Sequence, residues 1–263
     1  MNAIKNAISD GAPSLGVWLS SGDPVIAELA GRAGLDWVLL DAQHGAVGDA
    51  DLLPCIQAVN LGGAPALVRV GSADPRLIMR ALDLGAAGVV VPLVSTPEQA
   101  AAAVAATRYP PHGNRSHGPV RRYHDASGPG AQPLCLVMIE TAAGLDAIDR
   151  IAATPGLDGV FIGPADLSLD LGLGLPDFSD LSLLREPVER IVAAARRHQV
   201  IAGSAALAAP TADQLLRLGV QLTTIGGDTG YLIAGFAASA GRRRELIAAY
   251  GRPSGAAPGR PRH

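Results

Sequence analysis

The feature that most constrains this chain is a rhythm. Short apolar segments bounded by Gly, Pro or Asp recur along it, and each is followed by a stretch with the spacing of an amphipathic helix. The strand-like segments are 15–19, 36–41, 64–70, 88–94, 134–140, 158–163, 199–203 and 220–226. The helix-like stretches are 24–33, 49–60, 75–84, 96–107, 144–152, 181–197, 211–218 and 229–249. Strict alternation of eight strands with eight helices is the arithmetic of a (β/α)8 TIM barrel, and it predicts one α/β domain over residues 1–250. Local chemistry agrees with the phase. Asp23-Pro24, Asp74-Pro75 and Thr96-Pro97 each place a capping side chain before a proline at the first helical position. The pieces AGLDWVLL, DLGAAGVVV and TPGLDGVFI each run from a helix-ending Gly into an apolar strand, the pattern of a parallel strand buried on both faces.

Two segments break the rhythm. Residues 109–133, rich in Pro, Gly, His and Arg, are longer than a packing link needs, and the expectation is that they cover the site. Residues 251–263 have nothing apolar to bury and read as a disordered tail.

Composition removes several function classes. Net charge is -3, and the only basic run is Arg242, Arg243 and Arg244, which argues against a nucleic-acid partner. The N-terminus lacks the pattern of a secretory signal, and no apolar run reaches the roughly eighteen residues of a membrane span. The expectation is a soluble, cytoplasmic protein that binds no membrane. Cys55 and Cys135 lie in apolar segments and read as buried thiols. Of the 21 basic residues only Lys5 is a lysine, and it is on no strand end, so a Schiff-base lysine has no candidate.

A barrel of this kind carries its chemistry at the C-terminal ends of its strands. The polar residues expected there are Asp41, Gln43 and His44 after strand two, Arg69 after strand three, Glu140 after strand five, Asp166 after strand six, and Gly226, Gly227 and Asp228 after strand eight. Glu140 and Asp166 come from neighbouring strands about 4.8 Å apart. Two hard oxygen ligands so placed suit Mg²⁺ or Mn²⁺. An arginine partner for Glu140 and a turn-capping duty for Asp166 fit equally well, and spacing does not choose. Arg69 offers a planar cation for a carboxylate or an enolate oxygen, or an ion pair with Glu140 or Asp41. His44 has the intrinsic pKa for proton transfer, although a lone turn histidine is commonly structural. The segment IGGDTG reads as a tight glycine turn more than an anion site, and with no G-x-G-x-x-G a nucleotide cofactor is not expected. His112, His117 and His124 match no common zinc spacing.

On those residues the chain resembles a known family. The texts GVWLSSGDPVIAELAGRAGLDWVLLDAQHG, LVRVGSADPRLIMRALDLGAAGVVVPLVSTPEQAAAAVAATRYPPHGNR, VMIET and DGVFIGPADLS are similar, in that order, to the HpcH/HpaI aldolases, metal-dependent class II pyruvate aldolases. The resemblance implies a barrel of the phosphoenolpyruvate/pyruvate type. It also implies reversible cleavage of a 4-hydroxy-2-oxoacid to pyruvate and an aldehyde, with Mg²⁺, Mn²⁺ or Co²⁺ as cofactor. By position it makes Glu140 and Asp166 the metal ligands. Arg69 becomes the arginine at the keto oxygen, and His44 the acid/base with Asp83 as its partner carboxylate. Gly163, Pro164 and Ala165 become the turn whose amides take the pyruvate carboxylate. It further implies a final helix exchanged between subunits and a homohexamer.

Three departures stand out: Gln43 where the family has Glu, Met138 where it often has Gln, and a shorter 109–133 connection. Alternatives are a lyase for malyl- or citramalyl-CoA-type esters, and a barrel that binds an oxoacid without turnover.

Overall fold

The computed structural model describes residues 3–9, 11–118, 121, 132–175 and 180–250. Eight parallel strands close into a barrel in chain order: β1 Ser14–Leu19, β2 Trp37–Asp41, β3 Ala66–Arg69, β4 Gly88–Val91, β5 Leu134–Ile139, β6 Gly159–Ile162, β7 Ile201–Ser204 and β8 Leu222–Gly227. Each overlaps its predicted segment, and β8 pairs back onto β1. The helices are α1 Ala3–Ser9, α2 Pro24–Gly31, α3 Asp49–Gly62, α4 Pro75–Asp83, α5 Pro97–Thr107, α6 Ala142–Asp146, α7 Ile148–Ala152, α8 Pro164–Asp170, α9 Arg185–Arg197, α10 Ala209–Leu218 and α11 Asp228–Tyr250. The three Pro-led starts are capped as expected. Asp23 accepts from Val25 N and Ile26 N, Asp74 accepts from Arg76 N, and Thr96 and Gln99 form a reciprocal capping box.

The rhythm hides two helices and divides another. α1 and α8 fall in segments too short to show a helical period, and the predicted helix over 144–152 is two short ones meeting at Ala147. α1 closes the bottom of the barrel. Its Ile4 and Ile8 are buried with Trp37, Leu67 and Phe161, the side chains that fill the interior. Gly16 makes that filling possible, because a Cβ there would occupy the ring of Trp37. Lys5, on the same helix, pairs with Asp158, which also takes Arg108 Nη2 at 2.9 Å and Cys135 N at 2.7 Å. The only lysine of the chain is therefore at the end of the barrel opposite the strand C-termini.

The second layer of core lies between the strands and the helices around them. Val38, Leu40, Val68 and Val89 point outward against residues such as Ile56, Ile78 and Leu82. Both cysteines are free and buried, and burial pushes the thiol of Cys55 up to about 11 and that of Cys135 up to about 12. No described helix is long and apolar enough to cross a membrane.

The expectation that the connection over 109–133 covers the site rests on residues 119–120 and 122–131, which lie outside the described residues, and its described ends lie at the bottom of the barrel. The connection joins a helix to the next strand, so it leaves from the bottom. Arg108 Nη1 donates to Pro133 O at 2.8 Å, Asn114 N to Ala105 O at 2.9 Å, and Arg121 N to Asp83 O at 3.3 Å. His124 and the tail 251–263 lie outside the described residues. At the other extreme, α11 runs off the barrel. Asp228 is its one buried residue, while Ile233 is 66% and Phe236 72% exposed.

Candidate active site

The strand C-termini ring a cavity of about 330 Å³. Arg69, the last residue of β3, is its electrostatic centre. It lies opposite Asp41, the last residue of β2, in direct register, and the parallel pairing presents the guanidinium edge to the carboxylate. Arg69 Nε reaches Asp41 Oδ1 at 2.8 Å and Nη2 reaches Oδ2 at 2.6 Å, a two-point clamp. Trp18, from β1, holds both: its Nε1 donates to Asp41 Oδ2 at 3.2 Å, and its ring underlies the guanidinium at 4.6 Å. Burial raises the pKa of Asp41, but the bond and charge of Arg69 and the amides of Gln43 and His44 outweigh it and hold the carboxyl below the ordinary value. Arg69 Nη1 takes no partner among the described residues, and the residue lines the cavity. Of the two ion-pair partners open to Arg69 in the sequence, Asp41 is the one used.

Glu140 follows β5 and is buried. Its Oε1 accepts from Leu93 N at 2.6 Å, and Oε2 has no partner. Leu93 sits in the left-handed region at φ 58°, a conformation that costs a non-glycine residue about 1–3 kcal/mol and that aims its N–H at this carboxylate. Burial raises the pKa of Glu140. The Leu93 N–H opposes that rise, Asp166 adds to it and Arg69 opposes it, with a net upward shift. An isolated buried carboxylate oxygen is costly, and a cation nearby removes the cost. Asp166, in the first turn of α8, lines the cavity and acts electrostatically on Glu140. Among the described residues no cluster of three or more His, Cys, Asp or Glu could enclose a metal, so the site is a pair of carboxylates. That set fits Mg²⁺ or Mn²⁺, which take one or two protein carboxylates and complete their shell with substrate and water.

The turn over 163–165 is narrower in its offer than the resemblance implies. Gly163 N already donates to Ile139 O at 3.2 Å, and Pro164 has no N–H. The donors left are the amides of Ala165 and Asp166, at the open start of α8. Gly163 has a second duty. A Cβ on it would stand 2.5 Å from Glu140 Oε2 and 3.0 Å from Met138 Cε, so its hydrogen leaves the space that the carboxylate fills.

His44 is exposed on the cavity rim, with its backbone N–H on Asp41 Oδ1 at 3.2 Å. Asp83 is elsewhere. It ends α4 at the bottom of the barrel, where Arg115 Nη2 holds it at 2.6 Å. The structure does not bring Asp83 to His44 within one chain, and a contact between the two would be one between protomers. In the IGGDTG segment the Thr229 amide is taken by the chain's own carboxylate. Asp228 is itself the anion, accepting from Ser20 N at 3.0 Å, Ser21 N at 2.9 Å and Thr229 N at 2.7 Å. Burial raises its pKa, and these bonds bring it below the ordinary value. Nothing in the sequence singles out Trp18 or Leu93 for a role at the site. An aromatic inside an apolar strand and a backbone amide carry no chemical signature of their own.

Comparison with known proteins agrees with this geometry. Residues 14–235 match the family described as HpcH/HpaI aldolase/citrate lyase. The chain is 39% identical over 243 residues to a hydroxypyruvate/pyruvate aldolase of Deinococcus radiodurans, covering 88% of this chain and 86% of that one. It is 36% identical to a 5-keto-4-deoxy-D-glucarate aldolase of Klebsiella pneumoniae, covering 87% and 91%. In three dimensions it superposes on an HpcH/HpaI aldolase/citrate lyase family protein of Burkholderia cenocepacia with a TM-score of 0.82 at 32% identity, covering 93% of this chain and 100% of that one. The chain belongs to the HpcH/HpaI aldolase/citrate lyase family and is a carbon–carbon lyase of the aldolase kind.

Proposed function

We propose that the chain reversibly cleaves a 4-hydroxy-2-oxoacid to pyruvate and an aldehyde, with Mg²⁺, Mn²⁺ or Co²⁺ held by Glu140 and Asp166. The observation that carries this reading is the buried, partnerless Oε2 of Glu140 beside the charge of Asp166. A divalent cation bound there supplies Lewis-acid polarisation of a keto group. The remaining work falls to side chains and amides of the chain. The amides of Ala165 and Asp166 receive the substrate carboxylate. Arg69, fixed in its plane by Asp41 and Trp18, stabilises the negative charge that grows on the keto oxygen as the bond between C3 and C4 breaks. His44 accepts the proton of the 4-hydroxyl in the same step, so the aldehyde leaves neutral and the bonding pair remains with the enolate. Lys5 is at the wrong end of the barrel for a Schiff base.

The same reading takes the protein as a cytoplasmic homo-oligomer, a trimer of dimers in which α11 is exchanged. Two apolar surfaces support this: Ile233 and Phe236 on α11, and Val25 and Leu29, exposed by 68% and 65%, on α2.

Pyruvate release from a panel of 4-hydroxy-2-oxoacids tests the function. Turnover is expected to vanish with a chelator, to return with Mg²⁺ or Mn²⁺, and to be lost in a folded Glu140→Gln protein. Full activity in the metal-free protein would overturn the reading.

A further inference from the structure

Resting on that reading, the geometry points to a narrower substrate class: the acceptor half of the cavity takes a short, uncharged hydroxyaldehyde. The donor groups Arg69, Glu140, Ala165 and Asp166 all lie on β3, β5 and β6 or just after them, so the aldehyde portion, with its 4-hydroxyl toward His44 after β2, extends along the β1, β8 and β7 side. The cavity wall there is Ala205 and Leu207 after β7, Gly227, Thr229 and Gly230 at and after the end of β8, and Ser20 after β1. None of them carries a charge. Gly230 keeps that side open, since a Cβ on it would meet nothing within 4 Å. Leu207 is 50% exposed, and its Cδ2 stands 3.7 Å from where a Cβ on Gly227 would be.

Behind this wall lies a buried carboxylate. Asp228 is buried, ionised and directly bonded to the wall: Thr229 Oγ1 donates its proton to Asp228 Oδ1 at 3.1 Å. The Thr229 hydroxyl therefore has only lone pairs to show to the cavity. It can accept from a substrate hydroxyl, and it repels a carboxylate or sulfonate. Among the described residues, Arg69 is the only arginine or lysine lining the cavity, and Asp41 already occupies two of its nitrogens. A second anionic group on the aldehyde would then lie against the acceptor-only hydroxyl of Thr229 and the carboxylate behind it, on a wall that supplies no side-chain cation among the described residues, a cost that a neutral acceptor of equal length avoids.

The experiment compares aldol addition of pyruvate to matched pairs, glycolaldehyde against glyoxylate and D-glyceraldehyde against tartronate semialdehyde, in the Mn²⁺-loaded full chain. The neutral member of each pair is expected to be favoured by about tenfold or more in kcat/KM. Leu207→Arg should shift each ratio toward the anion by a similar factor, whereas Leu207→Gln, equally polar at the wall but uncharged, should not. Arginine is chosen because a lysine would condense with the aldehydes. Equal or reversed preference in the unmodified protein overturns the inference, as does a Leu207→Arg ratio that follows Leu207→Gln. If Leu207→Arg fails to fold, the unmodified ratios decide alone. Oxaloacetate decarboxylation, measured on the same samples, needs the enolate half without an aldehyde. Its presence with anion preference defeats the acceptor inference alone, and its absence together with absent aldol addition defeats the lyase reading beneath it.

Discussion

Replacing Gly163 with alanine adds one carbon at the most crowded point of the site. Gly163 has φ -97° and ψ 90°, a conformation alanine adopts freely, so no backbone strain enters. The effect is packing alone. The new Cβ would lie 2.5 Å from Glu140 Oε2, 2.8 Å from Glu140 Cβ and 3.0 Å from Met138 Cε, where ordinary contact begins at 3.4 Å. The carboxylate must therefore retreat by about 0.9 Å, and it is not free to do so, because Oε1 is fixed on Leu93 N at 2.6 Å. Overpacking of this kind costs about 1–3 kcal/mol, a loss that leaves a barrel folded. The larger consequence falls on the cation, since displacing a ligand from its held position weakens metal affinity by about 10- to 100-fold. Urea unfolding would measure the first quantity and a Mn²⁺ titration by calorimetry the second. A Gly163→Ala protein that unfolds normally, binds Mn²⁺ with unchanged affinity and turns over at the original rate would refute the assignment of Glu140 Oε2.

Two further outcomes are expected. Asp228 ties the β1 loop to the start of α11, and its folded pKa lies below the ordinary 3.8, so its contribution is complete above that value and disappears as pH falls through the folded one. Asp228→Asn should lose about 1–3 kcal/mol at neutral pH and show a flatter acid limb, measured by urea midpoints from about pH 7 to pH 3, and an unchanged limb would contradict this. Phe236→Asp, at a side chain 72% exposed on α11, should lower the mass seen by sedimentation equilibrium, because each buried Phe stabilises an interface by about 1.5–3 kcal/mol. A 26.7 kDa species in both proteins would remove the exchanged helix.

The barrel is legible in the sequence because strand burial on both faces and Pro-led helix starts are local properties, written within a few residues of where they act. The positions of Arg69, Glu140 and Asp166 are legible for a similar reason: each charged residue ends or closely follows an apolar strand run, which puts it at the C-terminal end of the barrel. What escapes depends on relations across the chain. The clamp on Arg69 needs Trp18 and Asp41 from two other strands, and the anchor on Glu140 is a backbone amide in an unusual conformation. The ends of the 109–133 connection are not legible in this way, because polar composition does not tell a loop at the mouth from one at the bottom. Only the position between a helix and the next strand puts its described ends at the bottom, and Asp83 lies with them.

The solitary side-chain amine at the base of the barrel bears on how such a protein withstands its own chemistry. Aldehydes condense with primary amines, and a chain with 20 arginines to one lysine offers a single side-chain amine for that reaction. Lys5 is engaged by Asp158 on the face farthest from where aldehyde would be released. The same placement gives the molecule a built-in handle: amine-directed coupling to a support through Lys5 would seize the barrel from below and leave every strand C-terminus turned toward solution.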